Sequence, residues 1–104
     1  YKCTLPRSYD YCISIKKIDH PKVPYIEQVI STACAGQNIL LCLNAMGYGG
    51  IWRTGTFAFN KTISKNLNLE DDAEVIGYIY VGTDSGTSKK IPQLNVDEYV
   101  DVWE

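Results

Sequence analysis

The segment Gly47–Gly55, GYGGIWRTG, groups the residues of this 104-residue chain that are best suited to hold a ligand. Its four glycines let a ligand approach the backbone, because they carry no Cβ. Arg53 presents a planar fork of donors that matches a phosphate, and Trp52 adds a flat apolar face with one donor. This mixture predicts a site for a phosphorylated aromatic molecule. On residue chemistry alone, however, an ordinary helix end followed by a buried strand is favoured.

The other polar residues do not form a recognisable catalytic group. His20, the single histidine, falls in the predicted turn 19–22, where we expect it to be solvated rather than part of a metal site or triad. Asp71, Asp72 and Glu74 precede a predicted strand and are expected to cap a turn, not to act as an acid–base pair. The sequence therefore predicts neither catalytic residues nor metal ligands.

The four cysteines lack the spacing of a zinc or redox motif, since no C-x-x-C pair is present. Cys34 and Cys42 are predicted on one helix, eight residues and so about 12 Å apart, which is too far for a disulfide. We expect these two cysteines, and likewise Cys3 and Cys12, to be buried, reduced thiols of a cytoplasmic protein.

Length and composition favour a single globular domain over residues 1–104, with 45% hydrophobic and 21% charged residues. The net charge of −2 gives no sign of the basic surface that nucleic-acid binding requires. No apolar run is expected to reach the length of a membrane span. The predicted partners therefore include neither nucleic acid nor a membrane.

Hydrophobic patterning predicts an α+β fold. Its main element is a helix over Tyr25–Met46, which begins after Pro24 and is capped by Gly47. The other predicted segments are a strand at Cys12–Ile18, a strand at Gly50–Thr54, a short helix at Thr62–Asn66, a strand at Glu74–Gly82, a loop at Thr83–Lys90 and an amphipathic tail at Ile91–Glu104.

The run GGIWRTG, together with the upstream HPKVPYIEQ and STACAGQNILLCLNAMGYG, resembles the nitroreductase-like flavoprotein family. The resemblance extends from about Ile13 to the C-terminus. It implies a long central helix packed on a mostly antiparallel sheet, as the C-terminal half of a fold nearly twice this length. Residues 1–12 are atypical, because they are polar and Tyr-rich where the family is expected to have an apolar strand.

The function implied by this resemblance is FMN-dependent reduction of nitroaromatic, quinone or similar acceptors by NAD(P)H, with the hydride chemistry carried by the flavin. Trp52, Arg53 and Thr54 occupy the family's FMN-contacting motif. The segment that the family associates with the pyridine nucleotide comprises Cys42, Leu43, Asn44, Ala45, Met46 and Gly47.

The resemblance also implies a homodimer with FMN between the subunits. The helix Tyr25–Met46 would lie along the dimer core, and the tail at residues 91–104 would reach over the partner subunit. Two alternatives remain open at this point. Instead of an enzyme, the chain would be a truncated, non-catalytic remnant that dimerises without flavin, or one half of a split flavoprotein whose other half is a separate polypeptide.

Overall fold

The computed structural model describes residues 9–84, 86 and 90–103, and these form a three-stranded antiparallel sheet with a long helix against one face. This arrangement confirms the predicted α+β class. Parts of the atypical N-terminal segment and of the predicted loop Thr83–Lys90 lie outside the described residues. The elements are β1 (Tyr9–Lys16), α1 (Tyr25–Ala45), β2 (Tyr48–Arg53), α2 (Lys61–Asn66) and β3 (Ala73–Thr83), with 3-10 turns at Thr56–Phe59 and Val96–Glu98.

Strand β3 is the centre of the sheet, with β1 on one side and β2 on the other, both antiparallel to it. Its β-branched and aromatic residues favour an extended backbone. Val75, Ile79 and Val81 are buried, and Ile79 is completely inaccessible. Ile15 and Ala58 complete the set of buried apolar side chains among the described residues. The core is therefore small and is built around one strand.

Helix α1 begins and ends where the sequence predicted, to within one residue. Pro24 precedes its first turn with φ −64°, a value that its ring imposes and that leads into a helix. Glu27 places a negative charge in the first turn, which favours the helix dipole. At the other end, Gly47 adopts φ +81°, a conformation that side chains with a Cβ rarely reach.

The predicted bounds of two strands were inaccurate. β1 begins at Tyr9, three residues before the prediction, because the pairing with β3 continues to its partner Val81. β1 also ends before Ile18, whose N–H donates to Gln28 Oε1 (3.0 Å) and whose carbonyl accepts from Gln28 Nε2 (2.8 Å). A side-chain amide thus replaces a strand partner at that point. β2 begins at Tyr48, two residues earlier than predicted.

The prediction of buried cysteines was wrong for the helix. Cys34 and Cys42 are exposed, and Cys12 is half-buried; Cys3 lies outside the described residues. The reason is that only one side of α1 packs on the sheet, and Gly36 is its only buried residue. Its outer side exposes Ile26, Ile30 and Leu41 by 61%, 53% and 59%, a larger apolar surface than a single packed helix usually leaves open.

Helix α1 also corrects the expectation that no apolar run is long enough to span a membrane. Its 21 residues, with a mean hydropathy of 1.2, meet the criteria of length and composition. The core helix of a globular protein meets the same criteria, so this property alone is weak evidence for a membrane.

The C-terminal segment, residues 90–103, is exposed throughout and contains only the short 3-10 turn Val96–Glu98. Asn95 caps this turn by accepting from the N–H of Asp97 (3.4 Å). Apolar side chains in the segment are nevertheless frequent, and Ile91, Val102 and Trp103 are at least 85% exposed. The predicted tail is therefore present but does not pack on its own chain.

Candidate cofactor-binding site

The residues Trp52, Arg53 and Thr54 lie at the end of β2, on the edge of the sheet. Successive side chains of a strand point to opposite faces, so Trp52 and Arg53 are directed to different sides. Trp52 faces α1 and is half-buried, whereas Arg53 faces away from the helix and is exposed. The motif thus spans both faces of the sheet instead of forming one continuous surface.

The indole of Trp52 fills a slot between α1 and β3 whose two walls are glycines. A Cβ on Gly36 would stand 2.7 Å from Cη2 of the indole, and a Cβ on Gly77 would stand 2.7 Å from Cε2. Ordinary carbon contacts are about 3.5–4.0 Å, so neither position tolerates even a methyl group. Trp52 therefore has a packing partner on each side, Gly36 on the helix and Gly77 on the sheet, and its indole is part of the helix–sheet interface.

Arg53 is the last residue of β2 and pairs with Tyr78 of β3, which in turn pairs with Cys12 of β1. The Tyr78 hydroxyl donates to the carbonyl of Phe57 (3.4 Å), and burial raises the pKa of Tyr78 above its ordinary value. The phenol therefore stays protonated at neutral pH as a donor. The ion pairs of the described residues are Lys16–Glu70 and Lys65–Asp71, and neither involves Arg53. The Arg53 side chain is exposed at the end of the strand and is accessible to an anion.

The backbone turns sharply directly after Arg53. Gly55 adopts φ +61° with an extended ψ, which is the conformation that glycine reaches most readily. The 3-10 turn Thr56–Phe59 follows and buries Ala58. Thr54 is half-buried between these points. The segment is therefore fixed by the Trp52 slot before it and by Ala58 after it.

The second predicted group, Cys42–Gly47, lies at the opposite end of β2. Helix α1 runs antiparallel to that strand, since Gly36 lies at Trp52 and Leu40 lies at Gly50. Gly47 and Arg53 are six residue steps apart along extended chain, a span of roughly 20 Å. The structure therefore does not bring the two predicted groups together within this chain.

Most residues of that helix end offer little for binding a nucleotide. Leu43 is half-buried and packs toward Gly50, while the remaining members are exposed. Met46 is 69% exposed, and Gly47 serves as the helix cap. The exposed members of the group are Cys42, Asn44, Ala45, Met46 and Gly47.

A separate group of charged residues lies where β1 ends and β3 begins. Tyr25 donates to the Glu74 carboxylate, and this hydrogen bond raises the pKa of Tyr25 above its ordinary value. Lys16 pairs with Glu70, and that hydrogen bond raises the pKa of the lysine. Lys17 lies 5.8 Å from the centre of the Tyr25 ring. All are largely accessible, so these contacts tie the helix start to the sheet and do not form a buried reactive site.

The described residues contain no metal-ligating cluster, defined as three or more His, Cys, Asp or Glu side chains. His20 is exposed in its turn, as predicted, and its Nδ1 accepts from the N–H of Lys22 (3.2 Å). A cleft of about 250 Å³ lies between α2 and the start of β3, lined in part by Phe59 and Lys61. It is below the usual size of small-molecule sites and includes none of the predicted site residues.

Two features beside the motif were not assigned to the site from sequence. Tyr78 is next to Arg53 only because β2 and β3 pair, and the local sequence around either residue does not reveal that pairing. Trp52 packs against Gly36 and Gly77. The sequence contains a weak signal for this packing, because a glycine inside a helix or strand indicates a close approach of another group.

Comparison with known proteins agrees with this fold. The profile of the Nitroreductase family matches residues 5–83, which include part of the N-terminal segment that looked atypical. The Putative NAD(P)H nitroreductase YdjA of Escherichia coli K12 is 29% identical over 84 residues, covering 81% of this chain and 42% of that protein.

Solved structures show the same fold. A nitroreductase-like family protein from Bacillus cereus superposes with a TM-score of 0.79 at 16% identity, covering 91% of this chain and 50% of the other. A mutant of NfnB, an FMN- and NADPH-dependent nitroreductase from Sphingopyxis sp. strain HMH, gives a TM-score of 0.69 at 18% identity and covers 86% and 41%.

The α+β fold, with its helix-backed antiparallel sheet, places the chain in the class of nitroreductase-like folds. The family match over most of its length makes the assignment specific: the chain belongs to the Nitroreductase family. It spans less than half the length of the curated relative that it matches.

Proposed function

We propose that this chain supplies one side of the flavin site of an FMN-dependent NAD(P)H oxidoreductase that reduces nitroaromatic, quinone or similar acceptors. The observation that carries the proposal is the exposed guanidinium of Arg53 at the end of β2, in a chain of this family. An exposed guanidinium favours a phosphate or another anionic group.

The residues present fit part of such a cofactor. Arg53 would bind a phosphate or a polar edge of FMN, and the Thr54 hydroxyl would add a donor beside it. Bound FMN supplies the hydride transfer. The chain's own role is to bind and orient, which agrees with the absence of a predicted acid–base pair. The family motif also includes Trp52, but its indole lies in the packed helix–sheet interface, so we assign the direct contacts to Arg53 and Thr54.

One arginine is too little to hold the whole cofactor, so we propose that further family residues complete the site. Residues 1–104 would form a single structural unit equivalent to the C-terminal portion of the family domain. A match that covers 42% of YdjA supports the part of this proposal that concerns a partial domain. The assignment of Cys42–Gly47 to the pyridine nucleotide requires that a second subunit brings this segment near a flavin, because within one chain it is remote from Arg53.

We also propose a cytoplasmic homodimer, with a small-molecule electron acceptor as the other partner. The exposed apolar stripe of α1, defined as Ile26, Ile30 and Leu41, gives this assembly a surface to bury. The tail at residues 91–104 offers a second one, since its described apolar side chains pack on nothing in their own chain.

The direct test of the proposed function is the visible absorption spectrum of the purified protein, recorded before and after addition of NADPH. We expect oxidised-flavin bands that bleach with NADPH and recover with a quinone, provided that the rest of the site is present. A protein that dimerises yet stays colourless after incubation with FMN and the N-terminal half of a relative would instead be a non-catalytic remnant.

A further inference from the structure

We propose that Trp52 is a positioning residue: its indole, seated between Gly36 and Gly77, fixes the backbone of Arg53–Gly55 and makes no contact with the cofactor. This inference rests on the proposed function for the role of Arg53, but its structural part stands on packing alone. It reassigns the most conspicuous aromatic of the motif from ligand binding to the internal architecture.

The slot holds both ends of the indole. The six-membered ring lies against Gly36 of α1, and the edge that carries Nε1 lies against Gly77 of β3. Gly36 is the only buried residue of the helix, so this contact is the most enclosed point of α1. An indole held from two sides cannot rotate away to stack on a bound ring without opening the helix–sheet interface.

The consequence for Arg53 follows from strand geometry. Trp52 and Arg53 are consecutive in β2 and point to opposite faces, so anchoring one side chain fixes the direction of the next. β2 ends at Arg53 and the chain turns at Gly55, which leaves no further strand pairing to hold this point. The Trp52 slot is therefore the restraint on the strand side of the last pair, Arg53 with Tyr78, while Ala58 holds the chain beyond the turn.

Limited proteolysis tests the slot without any cofactor, because trypsin cleaves after Arg53. Loosening the strand end should expose this bond while bonds after Lys16 and Lys65, which lie outside the slot, serve as internal references. For Trp52→Ala we expect cleavage after Arg53 to accelerate at least tenfold relative to the references. Trp52→Phe, which keeps part of the ring in the slot, should fall between Trp52→Ala and the parent.

The decisive variant is Gly36→Ala, because it obstructs the slot while the residues Trp52 and Arg53 themselves are unchanged. It should accelerate cleavage after Arg53 in the parent and add little in the Trp52→Ala background, where the slot is already open. Equal acceleration at all three bonds would indicate general destabilisation and would overturn the proposal. Independent effects of the two substitutions would overturn it as well. If the Gly36→Ala protein does not fold, the cleavage rates of Trp52→Phe and Trp52→Ala still test the proposal. Equal rates after Arg53 in these two variants would overturn it.

A flavin measurement separates positioning from contact. FMN is titrated into the chain together with the N-terminal half of a relative. Gly36→Ala should weaken FMN binding at least several-fold, whereas Trp52→Phe should leave the bound flavin's absorption bands in place. A band shift in Trp52→Phe would show that the indole touches the ring and would overturn the proposal. If the parent binds no FMN, the proposed function fails, and the proteolysis result alone determines whether Trp52 fixes Arg53.

Discussion

At the scale of single residues, the exposed guanidinium of Arg53 and the packed indole of Trp52 divide the motif into a binding part and a structural part. The sequence identified both residues because their chemistry is distinctive. It could not tell which face each would occupy, because that depends on the strand's pairing with β3 and on the glycines across from the indole. The predicted burial of Cys34 and Cys42 was wrong for a related reason, because burial of a helix residue depends on what packs against that side of the helix.

Arg53→Ala should weaken FMN binding about ten- to a hundredfold, because a hydrogen bond to a charged group contributes about 1.5–3 kcal/mol. The measurement is FMN titration followed by flavin fluorescence, in a form of the protein that contains the complete site. Lys65→Ala is the matched control, since Lys65 is exposed on α2 and lies away from the motif. Equal dissociation constants for the parent and Arg53→Ala would contradict the role assigned to this residue.

Alkaline stability depends on groups whose pKa is raised in the folded chain. The pKa of Tyr25 is raised by its hydrogen bond to Glu74, and those of Cys12 and Tyr78 are raised by burial, from ordinary values of 10.0, 9.0 and 10.0. The folded chain holds these protons more tightly than the unfolded chain does. Their stabilisation is therefore complete below the ordinary values and is lost as the pH rises through the raised ones.

Tyr25→Phe should remove part of this pH dependence. We expect its free energy of unfolding to decline less steeply above pH 10.0 than that of the parent, because no phenolic proton remains to be lost there. Urea unfolding at a series of alkaline pH values measures the slope. Tyr99→Phe, in the exposed tail, is the control and should follow the parent. A parallel decline in Tyr25→Phe and the parent would show that the Tyr25–Glu74 contact is not formed in solution.

At the scale of elements, α1, α2 and β3 were predicted closely because each carries its own local signal. Pro24 and Gly47 delimit the long helix, and a run of β-branched and aromatic residues marks β3. β1 was predicted less well, since its start depends on pairing with β3 and its end on a side chain from α1. Boundaries set by distant partners leave no mark in the local sequence.

Gln28 is the residue that joins β1 to α1. Its amide donates to the carbonyls of Ile18 (2.8 Å) and Val23 (3.1 Å), and its Oε1 accepts from the N–H of Ile18. Gln28→Ala should lower the free energy of unfolding by about 0.5–1.5 kcal/mol, because three backbone groups lose their partner and the two at Ile18 are exposed enough to be hydrated instead. Hydrogen exchange should quicken at Ile18.

The control for this prediction is Gln37→Ala, an exposed glutamine of the same helix whose replacement should be nearly neutral. Both variants can be compared by urea unfolding at neutral pH. A loss of the same size in Gln37→Ala and Gln28→Ala would show that the effect comes from helix propensity and not from the Gln28 hydrogen bonds.

At the scale of the whole molecule, the described residues leave apolar surface uncovered along the stripe of α1 and in the tail. A surface of this kind requires cover, and in our proposal a second subunit and further family residues provide it.

The proposed homodimer predicts that a charge in the α1 stripe disrupts assembly. Leu41→Asp should convert a dimer into monomers or lower its solubility, because a carboxylate cannot be buried there without a partner. Light scattering at tens of micromolar protein, roughly the range in which weak dimers persist, measures the mass. Deletion of residues 91–104 should act in the same direction. Asn66→Asp, on α2, is the control.

A parent chain that stays monodisperse and monomeric under these conditions would argue against the dimer, whatever the variants do. Assembly that survives Leu41→Asp but not the tail deletion would instead assign the interface to the tail alone.

In the proposed function, this chain carries one side of a flavin site, with Arg53 as the residue that binds the phosphate or a polar edge of FMN. The decisive experiment is a titration of FMN into the chain alone and with the N-terminal half of a relative added, followed by flavin fluorescence. We expect weak or undetectable binding by the chain alone, because two or three lost contacts of about 1.5–3 kcal/mol each remove several orders of magnitude in affinity. We expect restored binding with the added half, which Arg53→Ala then weakens. Tight FMN binding by the 104-residue chain alone would contradict the proposal, as would restored binding that Arg53→Ala leaves unchanged.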